Sequence, residues 1–170
     1  MAKALYIIAQ QDFQDHEFGA SKAELEKAGH EVVVTSFTKG PAQGAFGMTI
    51  NTDIALVDIN TDDYDMVTVI GGGGMVELVK DETIIKIVKD MKTKGKLISA
   101  ICIAPVLLAN AGVLDGKKAT VYETPDTVKA LEQAGAIYTG ELVTVDGDTI
   151  TANGPPAAEE FGKRLVEALR

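Results

Sequence analysis

Three short apolar runs constrain the fold of this chain more than any other feature of its sequence. They span residues 4–8, 65–70 and 96–101, and helical spacing follows each of them. The runs are continuous rather than alternating, which is typical of strands buried on both faces of a parallel sheet. Strands that alternate with helices through short loops favour a sheet covered on both sides. The sequence therefore predicts a single domain over residues 1–170, a three-layer α/β sandwich of flavodoxin-like type with a mostly parallel sheet.

The remaining pattern adds further strands, helices and two antiparallel hairpins. Helical segments are predicted at residues 16–28, 75–79, 82–94, 104–110, 125–134 and from 155 to about 169, and additional strands at 31–36 and 118–122. Asp146 and Gly147 form a turn signal inside the apolar segment 142–151, which predicts a hairpin. Residues 48–56 are predicted to form a smaller hairpin after a loop at 38–47.

Charge and cysteine content argue against several functional classes. The net charge of −9 disfavours nucleic acid and anionic membranes as partners. The N-terminal segment lacks the pattern of a signal peptide, and Cys102 is the only cysteine, so a cytoplasmic location is expected. The two histidines, His16 and His30, lack the spacing of zinc ligands. No metal and no other cofactor is expected.

Cys102 stands between the apolar run 96–101 and a helical run that begins at Ala104. It therefore lies at a strand-to-helix corner, where a side chain is directed toward the N-terminus of the next helix. Backbone N–H groups at such a position stabilise anions and can lower the pKa of a thiol. A buried structural cysteine is the alternative, because most lone cysteines behave as small hydrophobic residues.

Three loops are expected to meet at the carboxyl ends of the strands, where ligands bind on such sheets. They are residues 10–17, the glycine run 71–74 and the Cys102 corner. The glycine run lacks the lysine of a phosphate-binding loop and does not follow the first strand, so it does not predict nucleotide binding. It predicts either a tight turn or a loop whose backbone N–H groups face an oxyanion.

Glu17 begins the first predicted helix, on the side of this ligand edge. Beside Cys102, its carboxyl would accept a hydrogen bond from the thiol or, when protonated, donate one to a thiolate or an oxidised sulfur. An acid favoured by the helix dipole is the alternative. The neighbouring His16 is a candidate general base, with an exposed polar histidine as the alternative.

Residues 99–117 resemble the nucleophile elbow of the ThiJ/PfpI superfamily, which includes the intracellular protease PfpI, glyoxalase III enzymes and the Parkinson disease deglycase. The segments that match this family in the same order are 4–17, 25–32, 64–72 and 151–169. The resemblance therefore covers nearly the whole chain. The elbow, the upstream Glu17 and the Ala-Gly-Val-Leu-x-Gly segment at 111–116 together make it specific.

The resemblance implies roles for individual residues. Cys102 would be the nucleophile or the oxidation-sensitive sulfur, and Glu17 would touch it. Backbone contacts to the sulfur would come from Ile103 and from the glycine loop. The loop residues concerned are Gly72, Gly73, Gly74 and Met75. The resemblance also implies a homo-oligomer, a dimer or larger, and the apolar residues that a partner would cover are Phe13, Phe18, Phe46 and Met48.

The sequence departs from the family at residues that would activate a thiol for peptide cleavage. Protease-like members carry a histidine directly after the cysteine, where this chain has Ile103. Other members supply a histidine after the next strand, where Tyr122 is the nearest match and is a poor base at neutral pH. Glu77 lies one position away from a glutamate that PfpI-type enzymes take from a neighbouring subunit.

A cysteine-centred protein that acts on small reactive carbonyls or glycated adducts, with glyoxalase-like or deglycase-like chemistry, is therefore predicted. A non-catalytic, redox-responsive or stress-protective protein is the alternative, in which Cys102 oxidises to a sulfinate held by Glu17. An intracellular cysteine peptidase of PfpI type is a second alternative. Cys102 is expected to be an oxidation-prone thiol with a low pKa.

Overall fold

A seven-stranded sheet forms the centre of the computed structural model, which describes all 170 residues. The strands, in chain order, are β1 (Lys3–Ile7), β2 (Gln11–Phe13), β3 (Glu31–Ser36), β4 (Pro41–Gly44), β5 (Thr49–Asn51), β6 (Ile54–Ala55), β7 (Met66–Val69), β8 (Leu97–Ile101), β9 (Lys118–Ala119), β10 (Ile137–Tyr138), β11 (Val143–Asp146) and β12 (Thr149–Ala152). The order across the central sheet is β11-β12-β8-β7-β1-β3-β6. Every pairing in it is parallel except that of β11 with β12.

Helices cover both faces of this sheet. They are α1 (Asp15–Lys27), α2 (Glu82–Thr93), α3 (Pro105–Asn110), α4 (Pro125–Gln133) and α5 (Ala158–Ala168), and short 3-10 helices span Leu56–Asp58, Thr61–Asp63, Gly73–Leu78 and Pro155–Ala157. Helices α1 and α5 share one apolar layer, whereas α2, α3 and α4 contribute to the other. The predicted three-layer α/β architecture with a mostly parallel sheet is confirmed. None of the helices combines the length and the apolar character needed to cross a bilayer.

Strand β1 shows why its apolar run is continuous. Leu5 and Ile7 belong to the layer with α2 and α3, whereas Ala4 and Tyr6 belong to the layer with α1 and α5. All four side chains are fully buried. Successive side chains of a strand point to opposite faces, so a strand with helices on both sides needs apolar residues at every position.

The two predicted hairpins have different outcomes. Strands β11 and β12 pair antiparallel around Gly147, which has a φ of +61°, as predicted. The prediction of a hairpin over residues 48–56 is wrong. Strand β5 pairs antiparallel with β4, which lies in the segment predicted as a loop, and β6 pairs parallel with β3. Strand β4 is stabilised by pairing with β2 as well, a long-range contact that local composition does not reveal.

The sheet order brings three strand ends together. Strands β8, β7 and β1 are adjacent, and all three run in the same direction. The Cys102 corner follows β8, the glycine run follows β7, and residues 8–14 follow β1. The three loops that the sequence places at the carboxyl edge of the sheet therefore lie next to one another.

Candidate active site

Cys102 occupies a strained backbone conformation directly after β8. Its φ is +66°, in the left-handed region that residues with a Cβ atom seldom adopt. The Cys102 N–H donates to the carbonyl of Ala152 at 2.9 Å, and its own carbonyl accepts from the N–H of Tyr122 at 2.8 Å. Hydrogen bonds on both sides hold the corner, and they place the thiol in a partly buried position.

The glycine run is needed because other atoms approach its backbone closely. A Cβ atom at Gly71 would lie 2.5 Å from the Cβ of Cys102 and 2.8 Å from Oε1 of Glu17. At Gly72, which has a φ of +113°, it would lie 2.5 Å from the backbone nitrogen of Gln14. Gly72 therefore fits the predicted tight turn, because it needs a positive φ, and Gly71 is required because the elbow and Glu17 come so close to it.

Glu17 lies at the N-terminus of α1 with its side chain fully buried. The Gly71 N–H donates to its Oε1 at 3.0 Å, whereas Oε2 is buried without a hydrogen-bond partner of normal geometry. Burial raises the pKa of Glu17 to about 7, against the lowering effect of hydrogen bonds from the Cys102 side chain and the Gly71 N–H. The carboxyl and the thiol therefore interact directly.

The pKa of Cys102 is raised to about 12, so the prediction of a low thiol pKa is wrong for the state in which Glu17 is ionised. Burial is the largest cause, followed by the negative charge of Glu17 and the hydrogen bond between the two side chains. The helix-terminus effect that the sequence indicates is too small to offset this burial, which local sequence does not reveal.

Two backbone N–H groups partly offset the raised pKa of the Cys102 thiol. Those of Ile103 and Gly72 donate to the sulfur and lower the pKa of the Cys102 thiol. The geometry thus brings two of the predicted backbone contacts to the sulfur. The others lie apart from it, because Gly74 packs against Gln11 and Ala9, and the side chain of Met75 is fully buried in the core. No atom lies within 4 Å of a Cβ built at Gly73.

Gly71, which donates to Glu17 and leaves room for the elbow, is not among the loop residues that the resemblance places against the sulfur. Gln14 is likewise absent from the predicted site residues. Its side-chain Oε1 accepts from the Glu17 N–H at 2.7 Å, and its own N–H donates to the Gly71 carbonyl at 3.0 Å. Gln14 thereby joins the start of α1 to the glycine run. Glutamine is not among the preferred residues at a helix N-cap, so propensity gives no signal for it.

The comparisons with known proteins agree with this geometry. The model of the DJ-1/PfpI family matches residues 2–168. The chain belongs to the DJ-1/PfpI family. It is similar to an uncharacterized protein of Methanocaldococcus jannaschii, with 43% identity over 99% of this chain and 82% of the relative. It is also similar to a deglycase of Thermococcus kodakarensis, with 34% identity over 96% of this chain and 98% of the relative.

A solved structure of the family shares the same fold. The crystal structure of a ThiJ/PfpI domain protein from Brachyspira murdochii has a TM-score of 0.94 and 30% sequence identity, and the match covers 98% of this chain and 95% of that protein. The fold and the order of its elements are therefore those of a DJ-1/PfpI protein along almost the whole chain.

The two histidines do not complete a cysteine–histidine pair in this DJ-1/PfpI chain. His16 is exposed on α1 and is not among the groups that act on the pKa of Cys102. His30 lies at the opposite edge of the sheet, where its Nδ1 accepts from the Ala2 N–H at 3.0 Å. A thiol is activated for peptide cleavage by a base that takes its proton. Glu17 is the only titratable side chain that acts on the thiol.

Tyr122 supports the site through its backbone, since its N–H holds the elbow carbonyl. Its side chain is 51% exposed and lies beside Gly154. The predicted strand over residues 118–122 ends at Ala119, because the next N–H, that of Thr120, donates to the side-chain hydroxyl of Thr151 instead of to a backbone carbonyl. Glu77 is exposed on the 3-10 helix that follows the glycine run.

The site lies apart from a cavity elsewhere in the molecule, and no metal site accompanies it. That cavity, of about 610 Å³, lies between α2 and the segment 56–61 and includes none of the residues that surround Cys102. No three histidine, cysteine, aspartate or glutamate side chains are grouped in a way that would hold a metal ion. The groups available for chemistry are one thiol, one carboxyl and two backbone N–H donors.

Proposed function

We propose that this protein is a cysteine-centred enzyme that acts on small reactive carbonyls or glycated adducts. Cys102 is the nucleophile, and Glu17 is the acid and base. The observation that carries this proposal is the buried Glu17 carboxyl, whose Oε1 is held by Gly71 while Oε2 has no partner of normal geometry. The name of the Thermococcus kodakarensis relative, a deglycase, supports the same class of substrate.

Proton sharing between Glu17 and Cys102 is central to the proposal. With a pKa of about 7, the Glu17 carboxyl is neutral in a substantial fraction of molecules near neutral pH. In those molecules the negative charge of Glu17, which after burial is the next largest cause of the raised thiol pKa, is absent, and a neutral carboxyl donates to a thiolate instead of repelling it. The reactive state is thus the one in which Glu17 holds the proton.

The first chemical step is transfer of the Cys102 thiol proton to an ionised Glu17 carboxylate, followed by addition of the thiolate to a carbonyl carbon. A carbon–sulfur bond forms, and the electron pair of the C=O π bond moves to the oxygen. This oxygen takes a proton from the neutral Glu17 carboxyl, which becomes ionised and able to accept a proton in a later step. The N–H groups of Ile103 and Gly72, which donate to the sulfur, are the proposed donors to the developing oxyanion.

Loss of methylglyoxal in the presence of the purified protein tests this proposal. We expect turnover by the native chain, its loss in Cys102→Ser, and at least about a hundredfold decrease in Glu17→Gln, because general acid–base catalysis contributes this much. His16→Ala is the matched control on the same helix turn and should keep full activity. Turnover that survives in Cys102→Ser would rule the proposal out.

A redox-responsive role is the second candidate, and the same free oxygen of Glu17 favours it. Peroxide supplies the oxygen atoms that convert the thiolate to a sulfenic acid and then to a sulfinate. A neutral Glu17 carboxyl would donate to one of the sulfinate oxygens. Intact mass after mild peroxide treatment distinguishes the two roles. Addition of two oxygens at Cys102 without methylglyoxal turnover would favour the redox role.

We also propose a homo-oligomer in a reducing compartment, where Cys102 stays a free thiol. Among the apolar residues expected at a partner interface, Phe46 is 80% exposed at the turn between β4 and β5. Phe13 and Phe18 do not belong to this group, because their side chains are buried inside the chain itself. The molar mass from light scattering at micromolar concentration tests the proposal, and a monomer would contradict it.

A further inference from the structure

A buried tyrosine lies beneath the helix that carries Glu17. Tyr6 is the fourth residue of β1, and its side chain is fully buried in the apolar layer shared with α1 and α5. Its hydroxyl donates to the Oγ of Ser21 at 2.9 Å. Burial raises the pKa of Tyr6 well above its usual value, so the hydroxyl remains a neutral donor.

Ser21 links Tyr6 to Glu17 through a second hydrogen bond. The Oγ of Ser21, which is also fully buried, donates to the Glu17 carbonyl at 2.6 Å. A serine hydroxyl has one proton, so the proton that Tyr6 supplies leaves Ser21 free to direct its own proton to Glu17. The result is a directed chain of two hydrogen bonds from the middle of the sheet to the backbone of Glu17.

The chain completes the hydrogen bonding of Glu17. Gln14 accepts from the Glu17 N–H, Ser21 donates to its carbonyl, and Gly71 donates to its Oε1. Oε2 is the one oxygen of Glu17 without a hydrogen-bond partner of normal geometry. The backbone of Glu17 is therefore fixed from both sides.

Tyr6 contacts α1 at a second point through its ring. The ring packs edge-on against Phe18, the residue after Glu17, with 6.2 Å between the ring centroids and an interplanar angle of 75°. A phenylalanine would retain this packing. Ser21 would also keep its hydrogen bond to Glu17 without Tyr6, as serines in helices commonly do. The Tyr6 hydroxyl is thus not needed to fill the layer, and its distinct contribution is the orientation of Ser21 and the first turns of α1.

We propose that Tyr6, acting through Ser21, is a positioning residue that fixes the Glu17 carboxyl against the thiol of Cys102. This inference rests on the proposed role of Glu17 as acid and base. Tyr6 touches neither the thiol nor the carboxyl, so it acts through the placement of the helix. The Glu17 carboxyl that it places is in contact with the Cys102 side chain and the Gly71 N–H. No further side chain acts on the pKa of this carboxyl.

The test compares Tyr6→Phe and Ser21→Ala with the native chain and with Thr35→Val. Thr35 is a suitable control, because it is a fully buried residue whose hydroxyl donates to the Ile54 carbonyl, away from α1. Two properties are measured in the folded proteins. One is the rate of Cys102 alkylation by iodoacetamide from pH 5 to 10, and the other is the titration of the Glu17 carboxyl by ¹³C NMR, assigned with Glu17→Gln.

Tyr6→Phe should slow alkylation at pH 7 by about threefold to tenfold, the size that corresponds to the loss of one buried hydrogen bond. The midpoint of the Glu17 titration should move toward the ordinary value of a carboxyl, because a less fixed carboxyl is better hydrated. Ser21→Ala should act in the same direction. Thr35→Val should leave both measurements unchanged, even where it lowers the melting temperature.

The outcomes separate this inference from the proposed function. Where Glu17→Gln changes the alkylation profile but Tyr6→Phe and Ser21→Ala match the native chain in both measurements, the positioning role is wrong and the role of Glu17 stands. Where Glu17→Gln itself leaves the profile unchanged, both are wrong, because Tyr6 then has no functional carboxyl to position. If Thr35→Val changed the alkylation rate and the Glu17 titration as much as Tyr6→Phe does, Tyr6 would contribute only to stability. This result would also overturn the inference.

Discussion

Two residues other than glycine adopt left-handed backbone conformations, and their surroundings are very different. Asp12 has a φ of +61° and Cys102 a φ of +66°. Asp12 lies in the short strand β2 with an exposed side chain, whereas Cys102 is partly buried at the end of β8. Aspartate tolerates this conformation because its short polar side chain can bond locally, but cysteine has no such compensation.

The difference shows where the fold itself supports strain. Cys102 is held by a hydrogen bond on each side, to Ala152 and from Tyr122, and its Cβ lies against Gly71. A residue in an unfavourable conformation costs on the order of 1 kcal/mol or more and persists only where its surroundings define it. Strain that local chemistry tolerates says little about function, whereas strain that the surroundings enforce supports the proposed role of Cys102.

Among the predicted substitutions, Gly71→Ala should most strongly disturb the contacts that hold Cys102 in its left-handed conformation. The added Cβ would lie 2.5 Å from the Cβ of Cys102 and 2.8 Å from both Glu17 Oε1 and the Ile101 carbonyl. We expect a loss of about 3 kcal/mol or more in the free energy of unfolding and at least about a hundredfold slower alkylation of Cys102. Urea denaturation and iodoacetamide kinetics measure the two effects.

Gly73→Ala is the matched control, since a Cβ there has no atom within 4 Å and its backbone φ is not positive. It should leave unfolding and alkylation within experimental error of the native chain. Equal effects of the two substitutions would mean that the elbow does not depend on its contact with Gly71.

Glu17→Gln tests whether the buried charge of the Glu17 carboxylate also destabilises the folded protein at the Cys102 corner. The pKa of Glu17 is raised from 4.5 to about 7, so the folded state holds this proton more tightly than the unfolded state. The stabilisation is present below about pH 4.5 and is lost as pH rises through about 7. Glutamine carries no such proton, and the variant should gain up to about 3 kcal/mol relative to the native chain between pH 4.5 and 8.

Urea titrations at several pH values measure this difference. Glu160→Gln is a suitable control, because its carboxylate is exposed in an i,i+4 ion pair with Arg164 on α5. It should show almost no pH-dependent gain. A difference between the native chain and Glu17→Gln that does not change with pH would contradict the raised pKa of Glu17.

The sequence was sufficient for the central sheet but not for the small additions to it. Strands β1, β7 and β8 are predictable because their burial on both faces requires continuous apolar runs. Strand β4 contains a proline and a glycine and exists because β2 and β5 pair with it. Such pairing depends on residues distant in the chain, so a local pattern cannot indicate it.

The site shows the same division. The meeting of Glu17, the glycine run and Cys102 follows from the order of strands in a parallel sheet, and the sequence indicates it. The pKa of the thiol was predicted in the wrong direction, because it depends on burial and on the charge of Glu17. The contact between Tyr6 and Ser21 joins a strand to a helix through two side chains, and no sequence motif indicates it.

Substitution of Cys102 itself measures the strain of the corner. Cys102→Ala and Cys102→Gly both remove the sulfur, but only alanine retains a Cβ at a φ of +66°. The glycine variant should be more stable than the alanine variant by about 1 kcal/mol, although glycine is the more flexible residue in the unfolded chain. Chemical denaturation of the two variants provides the comparison, and an alanine variant of equal or greater stability would show that the corner is relaxed.

Asp12→Gly should have the smallest effect and completes the comparison. Its side chain is exposed, and its backbone conformation is one that aspartate tolerates, so relief of strain and added flexibility in the unfolded chain nearly cancel. We expect a change of a few tenths of a kcal/mol in stability, at most about 1 kcal/mol, and alkylation of Cys102 within about twofold of the native rate. Denaturation and iodoacetamide kinetics measure both quantities. A large loss of Cys102 reactivity in this variant would mean that the two left-handed residues are coupled through the contact of β2 with Gly72 and Gly74, and that the strain at Asp12 also serves the site.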